Sequence, residues 1–338
     1  DSRGCRCKNH HGAIGISLDG TGRNDIKDNV VGYSNNEGIF ISNVTGVGQS
    51  ERSLIISGNS IGKRGVGNSA IPIANEGAGI FLSDVQNALI GYEPNSGERP
   101  NTISGNHSNG IVIVGDGSRR IEINHSFIGV TENLAVGTGN YGDGIYIHGG
   151  REYLIGGAEA GNVISGNRRN GIYIEDAIGA SIYGNLIGVV QVLDIDLKLP
   201  NEADGIRLVN AEGTQIGFVK PGQRNIIGAN LGSGIVVGGA QSRLTTIKNN
   251  FIGTNENNDN LGNREHGVLF TDGATLNTVG GQQLKAGNTI AFNNAGVRID
   301  PNALCCNSID PNVIFGNAGL GIDLGPLGPN PNDPGDSD

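Results

Sequence analysis

The sequence predicts an all-β solenoid of about eleven stacked coils, and three observations support this fold class. A phrase of Gly, Ile or Val, any residue and an apolar residue occurs eleven times in 338 residues. Between the copies lie apolar runs of three to five residues with period two, which is typical of short strands. No window carries an apolar stripe long enough for a sizeable helix. Because such short strands cannot bury their own faces, they must stack coil upon coil.

The repeat has a higher-order period. The phrase opens at Gly15, Gly38, Gly79, Gly110, Gly144, Gly171, Gly205, Gly234, Gly267, Gly296 and Gly321. From Gly110 to Gly296 long and short intervals alternate, so two coils form a unit of 61 to 63 residues. The four long loops occur once per unit, at Lys63 to Asn75, Val130 to Tyr141, Val189 to Ala203 and Thr254 to Glu265. We therefore expect these loops along one side of the solenoid.

Strands and corners have distinct signals within each coil. The segments Ile145–Ile147, Ile172–Ile174 and Ile206–Leu208 alternate apolar and outward residues and are predicted strands of adjacent coils. Asparagines follow Gly or Ala at the predicted corners, where their amides can bond between coils. We interpret these asparagines as structural: Asn59, Asn106, Asn167, Asn185, Asn230 and Asn317.

Composition and charge exclude several classes of function. The formal net charge of −10 disfavours nucleic acid and anionic membrane surfaces as partners. No run of about 18 apolar residues is present, so no spanning helix is predicted. The one basic stretch, from Arg3 to His11, is interpreted as a solvated end. The chain starts at Asp1 without Met, which fits a removed secretion signal or a fragment.

The repeat phrases also carry a resemblance. The segments Asn162–Asn167 (NVISGN), Gly171–Ile174 (GIYI) and Asn185–Gly188 (NLIG) resemble right-handed parallel β-helix repeat proteins, especially large bacterial secreted and surface proteins. The resemblance implies a single right-handed parallel β-helix at residues 12–325 and a secreted or cell-surface location. A Cys-containing segment, 1–11, precedes the helix, and a Pro/Gly/Asp-rich tail, 326–338, follows it. This fold hosts lyases, hydrolases, epimerases, phage tailspikes, adhesins and spacers, so it does not fix the function.

One column of polar residues is the candidate catalytic site. It consists of the residues that precede the repeat glycines: Glu37, Ala78, Asn109, Asp143, Asn170, Asp204, Ser233 and His266. If the protein is an enzyme, Asp143, Asp204 and His266 are its predicted catalytic residues, with Arg169 within reach. Two coils put Asp143 roughly 10 Å from Asp204, slightly beyond an inverting glycosidase pair. Capping of the turn before each strand is the favoured interpretation, and no catalytic residue is predicted outright.

Metal binding is a weaker hypothesis. The acidic loop residues Asp194, Asp196, Glu202 and Asp204 offer hard oxygen ligands that suit calcium. A second acidic cluster, Asp333, Asp336 and Asp338, lies at the C-terminus, and Cys5, Cys7, His10 and His11 could form a zinc constellation. None has the spacing of an established motif, so solvated loops are favoured and no cofactor is predicted, with calcium as the alternative.

The four cysteines lie in two pairs at opposite ends of the predicted solenoid. About ten coils separate Cys5 and Cys7 from Cys305 and Cys306, on the order of 45 Å, whereas a disulfide needs Cα atoms within about 7 Å. The two pairs therefore cannot join within one molecule. A bond inside either pair is disfavoured, which leaves free thiols or bonds between molecules.

The predicted ends favour contact between copies. Neither end carries a recognisable cap, and an open solenoid end exposes strand edges and core. Either flanking domains cover the ends or another copy does, and a head-to-tail contact of this kind generates a filament. The sequence thus predicts an extracellular structural or adhesive solenoid that can polymerise head-to-tail into a disulfide-linked fibre or sheath. The alternatives are a carbohydrate-active enzyme acting on a surface polysaccharide and a trimeric phage-type receptor-binding spike.

Overall fold

The computed structural model describes residues 14–20, 22–45, 52–64, 71–93, 95–131, 139–193, 195–303 and 305–326. Within them the chain winds through three long sheets that run the length of the molecule, with 11, 10 and 10 strands. Each strand pairs in parallel with its equivalent in the next coil. Ten coils are complete in all three sheets and an eleventh begins with the last strand. The prediction of one parallel β-helix of about eleven coils is confirmed.

Sheet A consists of β1 (Ile16–Asp19), β4 (Ile39–Ser42), β9 (Ile80–Ser83), β12 (Ile111–Val114), β15 (Ile145–His148), β18 (Ile172–Glu175), β23 (Ile206–Val209), β26 (Ile235–Gly238), β29 (Val268–Thr271), β32 (Val297–Ile299) and β35 (Ile322–Leu324). Sheet B consists of β2 (Asn24–Lys27), β5 (Leu54–Ser57), β10 (Ala88–Ile90), β13 (Arg119–Ile123), β16 (Arg151–Gly156), β19 (Ser181–Tyr183), β24 (Gln215–Ile216), β27 (Thr246–Ile247), β30 (Thr278–Val279) and β33 (Ser308–Ile309). Sheet C consists of β3 (Val30–Val31), β6 (Ser60–Ile61), β11 (Asn101–Ile103), β14 (Ser126–Ile128), β17 (Val163–Ile164), β20 (Leu186–Ile187), β25 (Ile226–Ile227), β28 (Phe251–Ile252), β31 (Thr289–Ala291) and β34 (Val313–Phe315).

The remaining elements are two antiparallel hairpins and one short helix. The hairpins pair β7 (Lys63–Arg64) with β8 (Ile71–Pro72) and β21 (Val189–Val192) with β22 (Ile195–Lys198). A 3-10 helix spans Pro301–Ala303. Both hairpins, and the other two long loops, connect a strand of sheet C to the next strand of sheet A. Within the described residues, all four long loops therefore leave the solenoid between the same two sheets, as predicted.

The core lies inside the stacked coils. It forms because alternate side chains along each strand point inward. In β15 the side chains of Ile145 and Ile147 are fully buried, whereas that of Tyr146 faces outward. The next strand, β18, repeats this pattern in register, so Ile145 stacks on Ile172 and Ile147 on Ile174. Burial of such Ile, Val and Leu side chains in every coil, worth roughly 1.5–3 kcal/mol each, stabilises a continuous core.

Two asparagine ladders run along the corners. The longer is unbroken and joins Asn75, Asn106, Asn140, Asn167, Asn201, Asn230, Asn263, Asn293 and Asn317 by amide-to-amide hydrogen bonds. The second includes Asn59, Asn101, Asn162, Asn185 and Asn225. Asn167 also donates to the carbonyl of Ile128, so the amides satisfy backbone groups that the corner buries. The structural interpretation of these asparagines is confirmed.

The molecule's ends lie partly outside the described residues. The described strands run from Ile16 to Leu324, and residues 1–13 and 327–338 are not described. The described part of the chain contains no helix that is long and apolar enough to cross a membrane.

Candidate functional site

The predicted column forms a ladder of hydrogen bonds at the entry to sheet A. Each side chain accepts the backbone N–H of the column residue in the next coil: Asn109 from Asp143, Asp143 from Asn170, Asn170 from Asp204, Asp204 from Ser233, and Ser233 from His266. The donor–acceptor distances run from 2.6 to 3.2 Å. These contacts are those of the turn-capping interpretation.

The three predicted catalytic residues occupy alternate coils of this ladder. No hydrogen bond joins any two of Asp143, Asp204 and His266 in the described structure. Asp204 Oδ1 accepts from the Ser233 N–H, and its Oδ2 lies 3.1 Å from Arg207 Nη1. Burial lowers the pKa of His266, which favours the neutral imidazole. The inter-coil hydrogen bonds of the ladder therefore give the carboxylates of Asp143 and Asp204 a structural role.

Asp143 is the most buried carboxylate of the column. Its Oδ1 accepts hydrogen bonds from the backbone N and from Nδ2 of Asn170, at 2.8 and 2.7 Å. Burial raises its pKa, while these hydrogen bonds and the charges of Arg169 and Arg207 oppose the rise. Arg169 thus lies within electrostatic reach of the column, as predicted.

Next to the column, the outward side chains of sheet A form a file that we call the sheet A face. In order along the axis it carries Phe40, Phe81, Val112, Tyr146, Tyr173, Arg207, Val236 and Leu269. The Phe40 and Phe81 rings stack with centroids 5.5 Å apart, and the Tyr146 and Tyr173 rings lie 5.3 Å apart. All four rings are half-buried, so each keeps part of its surface open to solvent. A chain with 4% aromatics therefore gathers four of them on one face.

A second file borders this face at the turn after the longer asparagine ladder. Here Glu76 Oε2 lies 3.1 Å from His107 Nδ1, and the His107 ring packs 4.9 Å from that of Tyr141. The guanidinium carbon of Arg168 lies 3.5 Å from the Tyr141 centroid, a cation–π contact. Planar groups in successive coils thus stack here as well.

Polar groups cluster at the C-terminal ends of β15 and β18, beside the rings of the sheet A face. The Tyr146 hydroxyl donates to Glu175 Oε2 at 2.9 Å, and burial together with this carboxylate raises the pKa of Tyr146 to about 12. His148 lies beside Glu175, its Cα partner in the neighbouring strand. Ring faces, carboxylates and an imidazole therefore meet within two coils, and Arg207 lies in the third.

The described members of the predicted calcium set do not converge. Asp194 lies outside the described residues. Asp196 is in hairpin strand β22, where its Oδ2 accepts from Asn255 Nδ2 at 2.9 Å and lines a cleft of 360 Å³. Glu202 is exposed at the corner, and Asp204 belongs to the column. The loop places its members on different parts of the coil because the hairpin carries Asp196 away from sheet A.

The cysteines differ from expectation at the C-terminal end. Cys305 and Cys306 form a disulfide with each other, although the sequence analysis disfavours a bond between neighbours. The left-handed backbone of Cys306, with φ of 65°, follows the short 3-10 helix and lets the two side chains meet. Cys5 and Cys7, like His10 and His11, lie outside the described residues, as do Asp333, Asp336 and Asp338.

Tyr146, His148 and Glu175 are residues that the sequence reasoning misses as a site. The signal that could find them is period two, since the residue two places beyond an outward Tyr must also face outward. His148 and Glu175 stand at that place in adjacent coils.

Comparisons with known proteins reveal structural neighbours alone. No family model and no curated protein matches the chain. The mannuronan C-5 epimerase AlgE6 A-module of Azotobacter vinelandii aligns over 92% of this chain and 84% of its own, at 13% identity and TM-score 0.42. A variant of the periplasmic alginate epimerase AlgG aligns over 91% and 63%, at 15% identity and 0.49. The surface protein and adhesin PfbA of Streptococcus pneumoniae aligns over 93% and 92%, at 10% identity and 0.40. These neighbours are right-handed parallel β-helix proteins, and their identities are too low to carry a function to this chain.

Proposed function

We propose that this chain is a secreted or surface-exposed adhesive β-helix that holds an extended polysaccharide on its sheet A face. The observation that carries the proposal is the file of open rings, Tyr146 and Tyr173, followed in the next coil by Arg207. Ring faces pack against the apolar faces of sugars, and the flanking Arg and carboxylate groups can bond hydroxyls. Repetition about every 4.8 Å offers a long glycan several equivalent contacts.

Charge narrows the glycan class. The whole chain carries −10, and among the described residues Glu175 and Asp176 at the end of the face have no Lys or Arg within 4.0 Å. A polyanion approaching this surface meets net repulsion. A neutral or amino-sugar polysaccharide is therefore the proposed ligand, and an acidic one is expected to bind weakest.

The test is affinity electrophoresis or calorimetry against neutral, amino-sugar and acidic polysaccharides. Tyr173→Ala should weaken binding about fivefold, because loss of one stacked ring costs on the order of 1 kcal/mol. The matched control is Tyr183→Ala, which removes a half-buried outward ring from sheet B instead. If both variants bind like the wild type, or if Tyr183→Ala is as damaged, the sheet A face does not hold the glycan.

A second proposal concerns assembly. In the described structure β1 and β35 each pair on one side, so each leaves one edge of sheet A unpaired. The last coil also exposes Val313, Phe315 and Ile322, at 59%, 36% and 44%. These features support a head-to-tail contact in which β35 pairs with β1 of a second copy, as β32 pairs with β35.

Disulfide exchange between copies could make this contact covalent. A thiolate of Cys5 or Cys7 from a second copy could attack one sulfur of the Cys305–Cys306 disulfide. One bond between the copies then forms, and the other cysteine leaves as a thiolate. Electron microscopy should reveal filaments, and a non-reducing gel should give a ladder that collapses with reductant. Discrete monomers in both measurements would exclude the assembly.

A further inference from the structure

We propose that His148, Glu175 and Asp176 bind a divalent transition-metal ion of the zinc class at the exit of the sheet A face. His148 ends β15 and Glu175 ends β18, so the strand register places them side by side. His148 Nδ1 lies 3.6 Å from Glu175 Oε2 and 3.8 Å from Asp176 Oδ2. One ligand atom from each residue lies within 4.8 Å of the other two.

The repeat itself acts as an internal control. An Asp or Asn with left-handed φ after a sheet A strand is ordinary here, since Asn43, Asp84, Asn210 and Asp272 share that position with Asp176. The residues that the strand pairing places at the position of His148 and Glu175 in other coils are Asp19, Ser42, Ser83, Val114, Val209, Gly238 and Thr271. Of these seven residues only Asp19 is a carboxylate and none is a histidine, so the turn explains Asp176 but requires neither an imidazole nor a second carboxylate.

Charge favours a cation at this place. Among the described residues, Glu175 and Asp176 have His148 as their ion-pair partner and no Lys or Arg within 4.0 Å. The nearest guanidinium along the face, that of Arg207, is paired with Asp204 at 3.1 Å. With a neutral imidazole the cluster carries two uncompensated negative charges, which a divalent ion would neutralise.

The donor set fits coordination chemistry. One imidazole and two carboxylates form a three-ligand set of the kind that zinc accepts, with further positions left for water or a ligand. Metal–ligand distances of about 2.1 Å imply ligand atoms roughly 3.4 Å apart in a tetrahedral site. The separations of His148 from both carboxylates are close to that value. The Tyr146 hydroxyl donates to Glu175 Oε2 and so fixes the orientation of this carboxylate toward the metal position.

Calorimetric titration of the full chain with Zn²⁺ tests the site. We expect His148→Ala to reduce the number of bound zinc ions by one relative to wild type. Any zinc held by Cys5, Cys7, His10 or His11 is present in both proteins and cancels in this difference. The matched control is His107→Ala, because His107 lies beside Glu76 as a single His–carboxylate pair. Equal stoichiometry in wild type and His148→Ala would overturn the proposal.

A second variant tests the role of the Tyr146 hydroxyl in metal binding. Tyr146→Phe keeps the ring but removes the hydrogen bond to Glu175, so zinc affinity should fall about tenfold. Because zinc is the only probe, this titration tests the metal site independently of the proposed glycan binding. Unchanged zinc affinity in Tyr146→Phe would contradict the assigned role of the hydroxyl.

Discussion

Asp143 makes the same inter-coil hydrogen bonds as Asn109 and Asn170, with a negative charge in addition. Asp143 Oδ1 accepts the Asn170 N–H, and Asn109 Oδ1 accepts the Asp143 N–H in the same way. Its side chain is enclosed, since the residue is only 2% exposed. Nothing in these contacts requires a carboxylate. The charge of Asp143 therefore either lowers the stability of the fold or has a catalytic role.

Asp143→Asn tests which of these applies. Burial raises the pKa of Asp143, so its carboxylate binds a proton more tightly in the folded state than in the unfolded chain. The wild type therefore loses stability as pH rises from about 4 through the raised pKa. The variant keeps the acceptor and lacks this loss, so urea unfolding should find it more stable at pH 7, with the gain vanishing below about pH 4.

The exposed Asp28 offers the control for this measurement. Its side chain is 62% exposed beside Arg99, and Asp28→Asn should change stability by less than about 0.5 kcal/mol. A variant Asp143→Asn that is less stable at pH 7 than the wild type would mean that Arg169 and Arg207 outweigh burial. Loss of a polysaccharide-modifying activity in the same variant would instead favour the enzyme alternative.

At the scale of the element, the glycines of the repeated phrase lie where successive coils approach each other closely. A Cβ on Gly205 would lie 2.7 Å from the Gly234 carbonyl oxygen, 2.8 Å from Asn230 Nδ2 and 2.8 Å from Ile227 Cγ2. The same trio of a glycine carbonyl, a ladder amide and a sheet C isoleucine surrounds Gly144. The phrase is therefore fixed by the corner, where the ladder, the core and the next coil meet.

Gly205→Ala should destabilise the fold by about 1–3 kcal/mol, because the added methyl has no space. The control is Gly321→Ala in the last copy of the phrase, where the nearest atom would be Ile314 Cγ2 at 3.5 Å. Thermal unfolding of both variants measures the difference. Equal melting temperatures for the two would show that the coils separate easily and that the phrase has another origin.

Local patterns explain how much of this architecture can be predicted. Period two identifies Ile145 and Ile147 as inward, and the corner position of Asn167 identifies a ladder, because each depends on neighbours in sequence and on exact repetition. The contact of His148 with Glu175 depends on strand register between coils 27 residues apart, which only stacking fixes. The Cys305–Cys306 bond depends on one left-handed residue, and the separation of Asp196 from Asp204 depends on a hairpin.

At the scale of the whole molecule, the last copy of the phrase differs from the others in one respect. Each earlier glycine, such as Gly296, faces the carbonyl oxygen of the glycine in the next coil, whereas Gly321 faces no such atom among the described residues. If β35 of one copy pairs with β1 of another, Gly321 gains that neighbour, the Gly15 carbonyl of the second copy. A methyl group at this position would then meet backbone at the contact between copies.

Gly321→Ala should therefore leave the isolated chain nearly as stable as wild type and prevent its head-to-tail assembly. The physical reason is that one methyl against backbone at each contact costs about 1–3 kcal/mol, and a filament repeats this cost at every subunit. Negative-stain microscopy and light scattering at matched concentration give the readout, with reductant present so that disulfides do not hold copies together. Filaments of wild-type length from Gly321→Ala would rule out the pairing of β35 with β1, whereas short particles from the variant and filaments from the wild type would support it.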